Sequence, residues 1–203
     1  MHGLNEKEVE ILKKLDTPKK IQDFLNKLSI NFEENGDTCM SPRKVLETGK
    51  CHCIEGAMLA CVALMMHGRK PLVVDLTATE KDFDHVIAVF RENGKWGAIS
   101  KTNHAVLRYR EPAYNSIREL VMSFFHEYFT DSGRKTLRSY SMPVNLIDKF
   151  GYEWITNQDN VWEVPEYLGD CKHFDILDRK GIANLRKADD IEIVAGKLVE
   201  WKK

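Results

Sequence analysis

The chain has 203 residues, 43% of them hydrophobic, with a formal charge of −1 from 30 basic and 31 acidic side chains. A chain of this length buries roughly 70% of its unfolded surface, so it needs neither disulfides nor a metal for stability. The balanced charge argues against a nucleic-acid partner, which calls for a strongly basic domain.

The first residues, MHGLNEKEVEILKKL, are charged and helical and lack the apolar run of a secretory signal. The longest apolar run, Ala57 to Met66, is about half the ~20 residues that a membrane-spanning helix needs. A cytoplasmic location without a membrane partner is therefore expected. Five cysteines (Cys39, Cys51, Cys53, Cys61 and Cys171) form an odd set without a regular framework. In a reducing compartment these are free thiols, a catalytic thiol or metal ligands rather than disulfides.

In chain order, Leu4 to Leu15 predicts a first helix. Thr17 caps a second, with Pro18 in its first turn and Ile21, Phe24, Leu25 and Leu28 on one face. Residues 33 to 50 read as a polar connection with a short helix near Arg43 to Thr48. The stretch GKCHCIEGAMLACVALMMHG follows, apolar on every face in its second half, which marks a helix buried in the core. Gly68 and Pro71 stop it. Leu72 to Thr77 predicts a buried strand and His85 to Arg91 a second. Asn93-Gly94 signals a two-residue hairpin, and Lys95 to Thr102 is expected to return as a third strand. After Pro112 an amphipathic helix is expected from Asn115, with Gly133 beyond its end. Residues 134 to 203 mix short elements, with Trp154 and Trp162 as packing anchors. Helices, one buried helix, an antiparallel strand group and further helices imply an α+β fold. One domain over 1–203 is expected: N-terminal helices over 1–35, a catalytic core over 36–130 and a C-terminal elaboration over 131–203.

The chemistry concentrates at the start of the buried helix. A helix N-terminus favours an anion and so a thiolate, and Cys51 and Cys53 both lie there. His85, at the head of a strand, can face them as a base, the general layout of cysteine nucleophile catalysis. If Asn93-Gly94 forms the hairpin loop, Glu92 faces Lys95, Ile87 faces Ser100 and His85 faces Thr102. Ser100 and Thr102 can then reach the imidazole, whereas Lys101 points away. Zinc is the rival chemistry: Cys51-His52-Cys53 and Cys171-Lys172-His173 supply soft ligands, with Cys39 a fifth, although one intervening residue is poor spacing for a structural zinc site. Cys61 reads as a core side chain, Phe124-Phe125-His126 as a helix face, and Arg134 to Arg138 as solvated. Arg108 and Arg110 read as solvated too, or as one wall of a substrate groove.

Gly49 to Ala57, then Asp84-His85-Val86-Ile87-Ala88-Val89 and Gly94-Lys95-Trp96, resembles the transglutaminase-like superfamily. The resemblance covers about residues 45 to 105. It implies a papain-like core and a Cys-His-Asp triad that carries out acyl transfer or hydrolysis on a peptide, protein or glycopeptide amide, with no cofactor. Cys53 has Ala57 four positions later, as the family's nucleophile has a small residue there. Cys51 has Gly49 before it, but Glu55 falls where that small residue belongs. Cys53 is therefore preferred, with Cys51 second, and His85 matches the family histidine. The chain departs from the family at the aspartate, whose place falls at Ser100, and no acidic residue occurs between Trp96 and Arg110. A neutral group then orients the ring, Ser100 or, in the manner of the papain asparagine, Asn103. The alternatives are a non-catalytic binding or scaffold relative and, third, a zinc-binding protein.

Overall fold

A computed structural model describes residues 2–202. The N-terminal part holds α1 (Glu6–Lys13), α2 (Pro18–Lys27), β1 (Ser29–Ile30), α3 (Pro42–Thr48), β2 (Lys50–Cys51) and α4 (Cys53–Met66). Then come β3 (Leu72–Thr77), β4 (His85–Glu92), β5 (Lys95–Ile99), β6 (Arg110–Tyr114) and α5 (Ile117–Phe125). The last third holds β7 (Ser139–Ser141), β8 (Val144–Asn145), α6 (Leu146–Phe150), a 3-10 turn (Glu153–Ile155), α7 (Glu163–Asp170), β9 (His173–Asp175), α8 (Arg179–Ala183) and α9 (Asp190–Gly196). The fold is mixed α and β: a seven-stranded antiparallel sheet in the order β6-β5-β4-β3-β7-β9, with β8 also on β3, and helices on its flanks.

The alternation of β3 and β4 builds two cores. Val73, Val86, Ala88 and Phe90 pack with α4 and the N-terminal helices. Val74, Leu76, Ile87 and Val89 pack with Ile117, Leu120, Val121 and Phe124 of α5 on the other side. Ile54 to Leu64 of α4 are all buried, as expected of a helix apolar on every side. Each large aliphatic side chain buried this way contributes roughly 1.5–3 kcal/mol. Gly68 ends α4 with a left-handed φ of 76°.

Asn93 and Gly94 both have positive φ, 49° and 79°, the requirement of a type I′ turn. They set the register in which Glu92 faces Lys95 and Ala88 faces Ile99. The structure differs from the sequence reading at three places. β5 stops at Ile99 rather than Thr102, because the next residue bonds to a side chain and not to a strand. Arg110–Tyr114 is a strand, which the sequence pattern did not suggest. Pro112 is tolerated there because β6 lies at the sheet edge. Trp154 is fully buried as expected, but Trp162 is 40% exposed.

Candidate active site

Cys53 is the first residue of α4. It is placed there by a short parallel ladder in which Ser29 pairs with Lys50 and Ile30 with Cys51. The backbone N–H groups of the first turn have no acceptor within the helix, so the sulfur stands at the positive end of the helix dipole. Burial by itself would push this thiol up. The neighbouring imidazoles of His52 and His85 outweigh that and hold it well below the ordinary thiol range. The other four cysteines are shifted the opposite way. Burial pushes Cys51 up to about 12 and raises Cys39, Cys61 and Cys171 as well. Cys51, the fully buried second residue of β2, is a core thiol.

His85 opens β4 and is 7% exposed. Its Nε2 lies 2.8 Å from Ser100 Oγ, and the same hydroxyl lies 2.5 Å from the carbonyl oxygen of Leu107. A carbonyl only accepts, so the serine proton goes to Leu107 and its oxygen accepts from the imidazole. His85 therefore carries hydrogen on Nε2, and Nδ1 is the nitrogen left for the Cys53 sulfur. Ser100 is fixed in turn by Gln22 of α2. That amide accepts from Ser100 N at 2.9 Å and donates to Ser100 O at 2.8 Å, as a neighbouring strand would. Lys101 does point away: its buried ammonium donates to the carbonyls of Leu25 (2.9 Å) and Leu28 (2.5 Å), at the end of α2.

His52, the N-cap of α4, precedes Cys53 and lines the same cleft. Its Nε2 is 3.0 Å from the Thr38 carbonyl, 3.3 Å from Glu55 Oε1 and 3.6 Å from Glu33 Oε1. Burial alone would lower this imidazole. The neighbouring Cys53, then Glu55 and Thr38, raise it to about 9. Glu55 is completely buried and accepts from Asn31 Nδ2, Thr38 Oγ1, Met40 N and His52 N at 2.8–3.3 Å.

Cys53, His52 and His85 line one wall of a cleft of about 890 Å³, to which Phe83, Tyr128 and Phe129 contribute aromatic surface. Phe83 is 90% exposed at its rim. A smaller cavity of about 450 Å³, beside Tyr167 and Cys171, holds no thiol–imidazole pair.

Several expected residues are committed to other partners. Asn103 exchanges two 2.9 Å bonds with the backbone of Trp201 and does not orient the imidazole. Thr102 Oγ1 accepts from His104 N within its own loop. Arg110 is bound by Glu127 at 2.6 Å and stacks on Phe124, and Arg108 pairs with Glu200, so neither lines the cleft. Lys135, expected in solvent, is 9% exposed with its ammonium over Phe129. The zinc ligands are dispersed. His173 bonds to Asp75 at 3.0 Å, Cys171 bonds to Leu168 O, and among the described residues no cluster of three His, Cys, Asp or Glu is arranged to hold a metal ion. Nor is any helix of the described residues long and apolar enough to cross a membrane.

Sequence reading missed Gln22, Glu55 and the Leu107 carbonyl as parts of the site, and weighed His52 only as a metal ligand. The spacing of His52 and Glu55 was the available signal. A glutamate three residues into a helix reaches back to the N-cap. Compared with protein-family models and with curated protein sequences, the chain shows no significant match.

Proposed function

We propose that this chain is a cysteine-dependent enzyme of the transglutaminase-like kind, performing acyl transfer or hydrolysis on a peptide or protein amide. The observation that carries this reading is Cys53 at the head of α4, lining one cleft with a histidine whose tautomer is fixed by Ser100 and Leu107; the lowered titration of the thiol agrees with it. The helix-borne thiol, the strand-borne imidazole and the antiparallel sheet are also what a papain-like core would require, and this supports the resemblance read from residues 45 to 105.

In this reading the Cys53 proton resides on Nδ1 of His85. The thiolate attacks the amide carbonyl carbon, and the backbone N–H of Cys53 is placed to receive the developing oxyanion. His85 delivers its proton to the leaving nitrogen as the C–N bond breaks, which leaves a thioester on Cys53. Water or an amine then attacks that thioester. His85 takes the attacker's proton, the C–S bond breaks, and the thiolate–imidazolium pair is restored. Ser100 holds the ring in place but brings no negative charge. That neutrality favours the second reading, a binding protein that keeps the core without the chemistry.

A p-nitrophenyl ester of a short acyl group separates the two. The enzyme should release a burst of one nitrophenol per chain and gain the acyl mass on the peptide containing Cys53. Cys53→Ser should abolish both. No burst in the intact protein, with all five cysteines labelled slowly and equally by iodoacetamide, supports the non-catalytic reading.

A further inference from the structure

The family carboxylate missing beside His85 has a counterpart on the far side of the nucleophile. Glu55 is an entirely buried acid held in one orientation by four donors. A buried carboxylate without a cationic partner is costly. Among the described residues Glu55 pairs with no lysine or arginine, and its one cationic neighbour is the His52 ring, 3.3 Å away. The same ring nitrogen faces the Thr38 carbonyl and Glu33, so three oxygens converge on it and it must carry hydrogen. Cys53, the next residue in the chain, lines the same cleft as this ring.

We infer that His52 is a standing imidazolium, paired with Glu55 and Glu33, that supplies the fixed positive charge holding Cys53 as a thiolate while His85 alone moves protons. The two tasks that a Cys-His-Asp triad combines on one histidine are divided here between two. The inference rests on Cys53 being the nucleophile of the proposed reaction. It explains how a neutral serine suffices at position 100: the carboxylate acts through His52. The raised titration of His52 and the lowered titration of Cys53 agree with it. The groups acting on this pair are Glu55 on α4, Glu33 in the loop after β1, and His85 of β4 through the sulfur, with Cys39, Cys51 and Tyr128 as neighbours that remain uncharged at neutral pH.

The test is the pH profile of iodoacetamide alkylation at Cys53, read by mass spectrometry alongside the acylation burst. In His52→Gln the alkylation midpoint should rise toward the free-thiol value near 8.5, slowing labelling at pH 6 by about tenfold or more, since one pKa unit is a tenfold change in thiolate fraction. The acid limb of the burst rate should move up with it, and acylation should recover at high pH. His85→Gln should keep a midpoint below the free-thiol value yet lose acylation. Glu33→Gln, at a partly exposed position, should give a smaller upward shift in a folded protein. In the unmodified protein, long-range proton–nitrogen NMR should show an imidazole doubly protonated to about pH 9 that is absent from the spectrum of His52→Gln. An unchanged midpoint in His52→Gln, or no such imidazole at pH 7.5, overturns the inference even if the burst survives. A missing burst together with the expected shifts instead sinks the proposed reaction and leaves the charge assignment standing.

Discussion

Replacing Ser100 with alanine removes one oxygen that serves two bonds: 2.8 Å to His85 Nε2 and 2.5 Å to Leu107 O. At about 0.5–1.5 kcal/mol net for each neutral hydrogen bond, the loss of stability is roughly 1–3 kcal/mol. For a chain of this size that lowers Tm by roughly 2–12 °C. The catalytic loss has the same origin. A ring freed from one neutral acceptor loses about 1.4–2.7 kcal/mol of orientation, a 10- to 100-fold drop in acylation rate at about 1.36 kcal/mol per factor of ten. Loss of a charged orienting partner costs about 10⁴ in the serine hydrolase triad, so the size of the drop reports what kind of partner Ser100 is. Burst kinetics and a thermal melt on the same preparation measure both quantities. Ser100→Asp is the sharper arm. It restores the family's acid in the sequence, but an ionised carboxylate has no proton for Leu107 and would face that carbonyl lone pair to lone pair. This variant should be less stable than the parent and no faster. Faster acylation without loss of Tm would refute the assignment of the serine proton to Leu107, and with it the tautomer of His85.

Other perturbations have equally definite outcomes. A Cβ added at Gly56 would lie 2.7 Å from Lys101 Cβ and 3.2 Å from its Cγ, so Gly56→Ala should lower Tm by several degrees and slow acylation by displacing the residue next to Ser100, despite an intrinsic helix gain of about 1 kcal/mol. Thermal melts test this, and a higher Tm would show that α4 has room to move. Glu8→Gln, which breaks the two bonds of 2.7 and 3.0 Å from Arg43, should cost roughly 1.5–3 kcal/mol at pH 7 in urea titrations. Arg43 holds the folded carboxyl below its ordinary value of 4.5. Its contribution is therefore complete above that pH and fades as pH falls through the lowered value, so the gap between variant and parent should close on acidification. Cys51→Ser should cost roughly 1–3 kcal/mol for burying a hydroxyl yet leave rapid labelling at Cys53, the reverse of what a nucleophilic Cys51 would give. Phe83→Ala, at the exposed rim, should raise KM in the ester assay while leaving Tm within about one degree.

Elements governed by local chemistry were legible in the sequence. Thr17-Pro18 starts α2, Gly68 ends α4, and Asn93-Gly94 sets the register that brings Ser100 toward His85. The legibility fails where a distant side chain does work that backbone usually does. Nothing near Ser100 announces that Gln22, 78 residues earlier, will take both of its backbone groups and end β5 there. Asn103 is the type of residue that orients papain's histidine, and only the pairing with Trp201 shows it committed elsewhere. His52 illustrates a different difficulty. Flanked by two cysteines, it suggests metal, and its partners Thr38 and Glu33 lie in a polar connection that carries no periodic signal.

The grip of Gln22 on Ser100 also decides where open space is left. A polypeptide strand laid alongside Ser100 would continue past it and wall off the ground in front of His85. An amide at the tip of a flexible stem satisfies the same two groups and then stops, so the ladder ends flush with the hydroxyl. The residues beyond it, Lys101 to His104, are thereby left out of the sheet, and they line the cleft together with His85.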